Sequence, residues 1–528
     1  MKEGFRQAMA WLHTWAGLIF GWLLFAIFLT GTLSYFRYEI SHWSQPEVPV
    51  RAQDSTASLA MAQDYLQRHA PADAAGWFIQ LPGAREPALN VGWRAAGAGR
   101  RDTVEKTLDP ATGTEITPRE SRGGSFFYRF HFELEMPYPW GRWLATFAAL
   151  MMLVGLVSGI ITHKKIFKEF FTFRPGKGQR SWLDGHNAIG VLVLPFHLMI
   201  SYSSLVIFMY MVMPAGILAS YGNDTQGFFN DVFGPRQNVE RSGQALPLPP
   251  LTTLYARVQE QAPGAQITWI DIQQPGDRNA EVRLIPRSTD RIAVQRGSGW
   301  RFKAADGDLA WNAQPDSVAS TIAGGFYGLH MGEFAGPLLR WLYFFFGLAG
   351  TAVIGTGLVM WLGKRQLKHA KSGVQPFELR LVEVLNIASM SGLILGIAAF
   401  FWANRLLPVT LQGRADWEIN AFFGVWLLAL VHALLRPGRK AWGEQLALAA
   451  VACAGLPLLN ALTTEAGLDH SVAAGDWAMA GFDLTALGCG LFLAWAAGKM
   501  LRPPVQAPKR APKAAKAAPA ARLEAEVN

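Results

Sequence analysis

Long apolar runs alternate with short basic loops and two longer polar segments. Runs near 12–36, 140–162, 186–214 and 338–362 each meet the roughly 20 residues needed to cross a hydrocarbon core about 30 Å thick. Further runs lie near 381–403, 419–435, 444–462 and 479–498. The pattern predicts an α-helical integral membrane protein with about eight transmembrane helices. The segments 40–130 and 216–328 are polar enough to fold in water and predict two small α+β domains, inserted between helices one and two and between helices three and four.

The predicted order is helix one (1–39), first polar domain (40–130), helix two (131–163), basic loop (164–185) and helix three (186–215). The second polar domain (216–328), helix four (329–363), a loop (364–380), helices five to eight (381–498) and a tail (499–528) follow. The two polar domains repeat one another. A helical stretch at 57–69, Ala70-Pro71, a strand-like run at 76–81, Pro82-Gly83 and a run at 88–94 recur as 251–261, Ala262-Pro263, 266–273, Pro275-Gly276 and 280–285.

The flanking helices repeat as well. Phe127-Tyr128-Arg129-Phe130-His131 matches Phe326-Tyr327-Gly328-Leu329-His330, and Arg142-Trp143 and Arg340-Trp341 follow each. His13 with Gly17 corresponds to His186 with Gly190. Helix, polar domain, helix is therefore the unit, used twice in one direction, which predicts a pseudo-twofold axis along the membrane normal.

Charge sets the expected orientation. Lys164, Lys165, Lys168, Arg174, Lys177 and Arg180 fill one loop; Lys364, Arg365, Lys368, Lys371 and Arg380 fill another, and such loops stay cytoplasmic. The expectation is an inner-membrane protein with both termini inside, both polar domains in the periplasm and the first apolar run kept as a helix. Composition agrees: 51% of residues are hydrophobic and 16% charged. The net charge of +9 belongs to the inner loops and tail, so no nucleic-acid partner is implied. Cys453 and Cys489 are the only cysteines and both fall in apolar runs, which argues against a disulfide framework or thiolate cluster.

Histidine carries the candidate chemistry. Six of eleven histidines, His13, His131, His163, His186, His197 and His330, lie in or at the ends of the first four helices. Ionisable side chains at such depths are expensive and point to function. His186 and His197 would share one face of helix three at two depths, since eleven residues advance a helix about 20° past three turns. His13 and His163 join His186 near the inner surface, with His131 and His330 at the outer ends of helices two and four.

Two tiers of imidazoles on different helices suit haem b in two copies, each iron taking ligands from both faces. Symmetry suggests His13 with His186 and His131 with His330, while His163 and His197 have no repeat counterparts and compete for either tier. Gly17, Gly21, Gly155, Gly159, Gly190, Gly347 and Gly350 would admit a macrocycle, and Arg142, Arg340 and Arg37 would pair with propionates. His42, His69, His369, His432 and His470 read as surface or interfacial residues. The tiers are too far apart for one transition-metal centre, and no HExxH motif accompanies them. A proton path would normally include buried carboxylates, which helices one to four almost lack.

Leu12-His13-Thr14-Trp15-Ala16-Gly17-Leu18, His186-Asn187-Ala188-Ile189-Gly190 with Leu194-Pro195-Phe196-His197, and Leu329-His330-Met331-Gly332 resemble the PepSY-associated transmembrane helix proteins over about 8–365. That family includes inner-membrane siderophore reductases. The resemblance implies PepSY-type periplasmic domains, b-type haem between the helices and a periplasmic ferric siderophore or similar Fe(III) chelate as acceptor, reduced to Fe(II). Helices five to eight exceed the compact form, and docking a partner or binding quinol are roles open to them. No GxGxxG follows a strand, so the donor would be quinol or a separate flavoprotein, with membrane lipid the surrounding partner. A non-enzymatic sensor or protease modulator and a siderophore or metal permease are the rival readings.

Overall fold

In a computed structural model, the structure describes residues 3–51, 54–97, 99, 102–163, 172–233, 239–287, 291–294, 299–303, 309–311, 318–370 and 375–502. Lys164, Lys165, Lys168, Lys371 and the tail from Pro503 lie outside them. Seven described helices are long and apolar enough to span a membrane, and a bent pair makes an eighth when taken as one span.

The first repeat contains α1 (Glu3–Ser34), α2 (Arg37–Ser44), α3 (Ser55–His69), α4 (Gly123–Glu133) and α5 (Trp140–Thr162). The second begins with α6 (Gln179–Leu192), α7 (Leu194–Ile207), α8 (Met209–Val212), α9 (Ala215–Tyr221) and α10 (Thr225–Phe233). It continues with α11 (Leu251–Gln261), α12 (Val318–Met331) and α13 (Pro337–His369). α1 packs on both α5 and α13, so it joins the two repeats.

Two expectations about these helices need correction. Helix three is not continuous: α6 and α7 meet at Val193 with a bend of 67°. Pro195, in the first turn of α7, has no N–H to donate, and its ring crowds the carbonyl one turn earlier. His186 and His197 therefore lie on separate segments and do not share one helical face. Helices two and four do not carry His131 and His330 at their ends either. Those histidines sit on the short helices α4 and α12, set off from α5 and α13 by positive-φ residues, Leu134 and Glu135 in one copy and Gly332 in the other.

The polar segments form one sheet, not two separate domains. Strands β1 (Gly76–Gln80), β2 (Leu89–Arg94), β3 (Thr103–Leu108) and β4 (Glu115–Ile116) come from the first segment. The second contributes β5 (Ile267–Gln273), β6 (Glu281–Pro286), β7 (Trp300–Lys303) and β8 (Leu309–Trp311). All eight make a continuous antiparallel sheet in the order β4-β3-β2-β1-β5-β6-β7-β8. The seam is β1 against β5, with Ile79 opposite Ile270. Both side chains are fully buried in a single core with Leu59 and Leu66 of α3 and Leu254 and Val258 of α11. An exposed edge strand offers unpaired amides and carbonyls; here each repeat covers the edge of the other.

The sheet is fastened to one end of the bundle, where α1 finishes. Arg85, in the β1–β2 loop, donates from Nε and Nη2 to both oxygens of Glu39 on α2 at 2.8 Å, and Arg340 of α13 reaches the same carboxylate at 3.0 Å.

The C-terminal bundle comprises α14 (Phe377–Ile387), a π turn (Ala388–Gly392), α15 (Leu393–Leu406), α16 (Arg414–Leu435), α17 (Arg439–Thr463), α18 (Leu468–Ala473) and α19 (Trp477–Leu501). Buried polar pairs tie it to the first repeat. Trp22 Nε1 donates to Asn386 at 2.8 Å, Trp43 Nε1 to Asp483 at 2.8 Å, and Arg405 stacks over Trp43. His42, expected as a surface or interfacial residue, is 6% exposed and lies 2.7 Å from Asp476 in this contact between the first repeat and the C-terminal bundle.

Candidate functional site: two facing histidine pairs

Matching histidines of the two repeats face each other twice. At the end remote from the sheet, the rings of His13 (α1) and His186 (α6) have centroids 6.3 Å apart at an interplanar angle of 78°. Nearer the sheet, His131 (α4) and His330 (α12) are 6.1 Å apart at 40°. The symmetry-based pairing is the one the fold brings together.

Each ring is held through Nδ1. His13 Nδ1 lies 2.8 Å from the Gly155 carbonyl and His131 Nδ1 2.7 Å from the Ile27 carbonyl. His186 Nδ1 lies 3.1 Å from Thr356 Oγ1, and the ring also bonds the backbone of Val353. His330 Nδ1 lies 2.9 Å from Ser203 Oγ, and its ring bonds the backbone of Ile200. The partners repeat as faithfully as the histidines: Ile27 and Ile200 follow His13 and His186 by 14 residues, and Gly155 and Val353 follow Arg142 and Arg340 by 13. A carbonyl on Nδ1 requires the proton there and leaves the Nε2 lone pair free, the arrangement typical of a metal-binding histidine.

The surroundings fit a flat macrocycle. Metal–imidazole bonds of about 2.0 Å place two trans imidazole centroids roughly 6 Å apart, which is the separation of both pairs. Gly17 and Gly190, one turn beyond His13 and His186, and Gly155 have no other group within 4 Å of where a β-carbon would project. Gly159 and Gly357 instead make room for the histidines, since a β-carbon would stand 3.1 Å from His13 and 3.4 Å from His186. Gly31 does so for His131, at 2.5 Å. Of the other glycines expected to border a macrocycle, Gly21 packs on Leu358, Gly347 on Thr32 and Gly350 on Phe28 and His197. Among the described residues no three His, Cys, Asp or Glu cluster as a bare-ion cage would require.

His163 and His197 stay outside the pairs. His197 is fully buried on α7 between Phe28 and Phe196, its Nε2 3.4 Å from the Phe346 carbonyl and its Nδ1 without a partner. His163 caps α5, also with a buried Nδ1 lacking a partner. Arg142 and Arg340 are engaged by carboxylates, Arg142 by Glu133 and Arg340 by Glu39, while Arg340 Nε is a buried donor with no protein partner. Arg37 is paired with Glu333 at 2.8 Å and stacks over Tyr38 and Tyr128.

Sequence reasoning did not single out the tyrosines within its repeated motif. Tyr128 and Tyr327, three residues before His131 and His330, hydrogen-bond each other. The repeat motif Phe-Tyr contained that signal. Histidine pair, histidine pair and tyrosine pair thus mark successive meetings of equivalent residues, and the β1–β5 seam joins the same two repeats beyond them.

These features define a multi-pass helical membrane protein with an internal repeat and paired histidines between its halves. A family model described as the PepSY-associated TM region matches residues 10–364, and the chain belongs to that family. No curated protein matches the chain.

Proposed function

We propose that this protein is an inner-membrane haem b reductase that passes electrons across the bilayer to a periplasmic ferric siderophore or similar Fe(III) chelate, releasing Fe(II). The observation that carries the reading is the separation of both histidine pairs, 6.3 and 6.1 Å between centroids, with each Nδ1 already committed. His13 and His186 would hold one haem and His131 and His330 the other. Haem b, when bound, supplies a one-electron Fe(III)/Fe(II) couple at each pair.

The chain's own residues give that couple its setting. Ile27 and Gly155 carbonyls fix two imidazoles, and Ser203 and Thr356 help fix the others, so the ligands keep their orientation as charge changes. From His13 to Ile27, α1 rises about 21 Å, so the two tiers divide the bilayer between them. Reducing equivalents would enter at the cytoplasmic pair from quinol or a separate flavoprotein and leave on the sheet side, one electron for each Fe(III) reduced. With the basic loops read as cytoplasmic, the sheet is periplasmic and both termini are inside.

The test is an oxidised and dithionite-reduced spectrum of the detergent-purified protein with pyridine haemochrome quantification. Two haems per chain are expected, with His186→Ala and His330→Ala each removing a different one. A colourless protein made with ample haem overturns the reading.

A further inference from the structure

The C-terminal helices pack on α1, α13 and α4, and their aromatic contact with a histidine-bearing element is made at α4. On one side of α4, His131 donates to the Ile27 carbonyl of α1. On the other, Phe126 and Phe127 are fully buried and Phe130 nearly so. Phe126 stacks on Phe400 of α15 at 5.1 Å and 10°, and Phe130 meets Phe422 of α16 at 5.6 Å. The start of α4 is pinned as well. Glu418 of α16, fully buried, accepts from the Ser121 hydroxyl at 2.6 Å, and that oxygen accepts the N–H of Gly123 at 3.0 Å. Arg414 donates to the Glu120 carbonyl at 2.9 Å.

The equivalent helix in the second repeat is held differently. In α12, Gly324 and Gly328 admit the chain at 292–294: Val294 N–H donates to the Gly324 carbonyl at 3.1 Å, and a β-carbon on Gly328 would collide with the Ile292 carbonyl at 1.6 Å. The corresponding positions of α4 are Ser125 and Arg129, whose side chains would block such an approach. One half clamps its ligand-bearing helix with its own loop. The other half packs Gly123 and Gly124 at the start of α4 against Arg37 and Ser41 of α2 and adds an outside support along the rest of the helix.

We infer that the C-terminal bundle, residues 377–501, is a strut that positions His131, with Phe126 and Glu418 as the positioning contacts. This assigns the extra helices to the outer histidine pair. It rests on the reading that the pairs hold haem. The contacts of Phe126 and Glu418 are made on α4 and so act first on His131; His13 and His186 are held by Gly155 of α5 and Thr356 of α13, away from those two contacts. Ligand orientation governs how tightly a metal group is held and at what potential it cycles.

The experiment uses full-length protein carrying Phe126→Ala, Phe126→Leu or Glu418→Gln. Haem retention, redox titration and low-spin EPR are read for both haems, with the outer signal identified by its loss in His330→Ala. Phe126→Ala and Glu418→Gln should shift the outer potential and g-values and weaken outer haem retention on the order of tenfold, with the inner signal unchanged. Phe126→Leu, which refills most of the volume, should restore them. Should Phe126→Ala fail to fold, Glu418→Gln carries the test because it keeps the side-chain shape. Unchanged outer signals, or equal changes in both haems, overturn the strut in a haem-replete protein. A wild type without haem overturns the haem reading itself, and the strut with it.

Discussion

Gly159 and Gly357 occupy matching places in α5 and α13, and each faces a histidine of the same pair, His13 at 3.1 Å and His186 at 3.4 Å from the position of an added β-carbon. Together with Gly31, at 2.5 Å from His131, they form a graded series. Overpacking costs typically 1–3 kcal/mol, roughly, when neighbours cannot move, and these rings are tethered through Nδ1. Gly31→Ala should therefore strip the outer haem, Gly159→Ala should loosen the inner one mildly, and Gly357→Ala should be close to silent. Haem-to-protein ratios from haemochrome assays rank the three; equal ratios would contradict the ring-packing account.

Ser203 and Thr356 are the two Nδ1 partners that a side-chain substitution removes. Loss of such a partner typically costs about 10–100-fold in metal affinity. Ser203→Ala should weaken the outer haem and Thr356→Val the inner one, each without the other, as read by haem loss to apomyoglobin.

The seam of the sheet depends on two isoleucines. Ile79 and Ile270 face each other with no exposed surface, and large-to-small changes at such sites cost about 2–5 kcal/mol. Ile270→Ala should lower the melting transition by several degrees and disturb both halves together. Proteolysis that released the 267–303 half while leaving 76–108 protected would show that the halves are independent.

Asp277 makes stability acid-sensitive. Burial would push its carboxyl up, but the amides of Asn279, Ser242 and Gly243 and the Ser242 hydroxyl all donate to it and hold it down at about 2. A depressed carboxyl stabilises the fold above its unfolded value, near 3.8, and that contribution fades as pH falls toward 2. Asp277→Asn should flatten the loss of sheet stability across this window in tryptophan-monitored unfolding. An unchanged acid limb would place the sensitivity elsewhere.

The sequence made the histidine pairs readable because imidazoles in apolar segments are rare and the repeat matched His13 to His186 and His131 to His330. The membrane helices were readable from the length of their apolar runs. The break at Val193 had a signal in Pro195, yet an apolar run continuing to Pro214 hid it. The joining of β1 to β5 was not readable, since strand composition records which face is buried and not which edge finds a partner. Nor was the role of Phe126 and Phe130: an aromatic run near a membrane reads as an interfacial anchor until Phe400 and Phe422 are seen against it.

The β1–β5 seam also restrains how the molecule can move. Five residue pairs hold the strands in register from Gly76 opposite Gln273 to Gln80 opposite Trp269. Rocking one repeat against the other, as alternating access in transporters demands, would have to peel this ladder apart like a zip. Riveted at its crown, the bundle carries its paired rings on two halves that share a joint resisting such rocking.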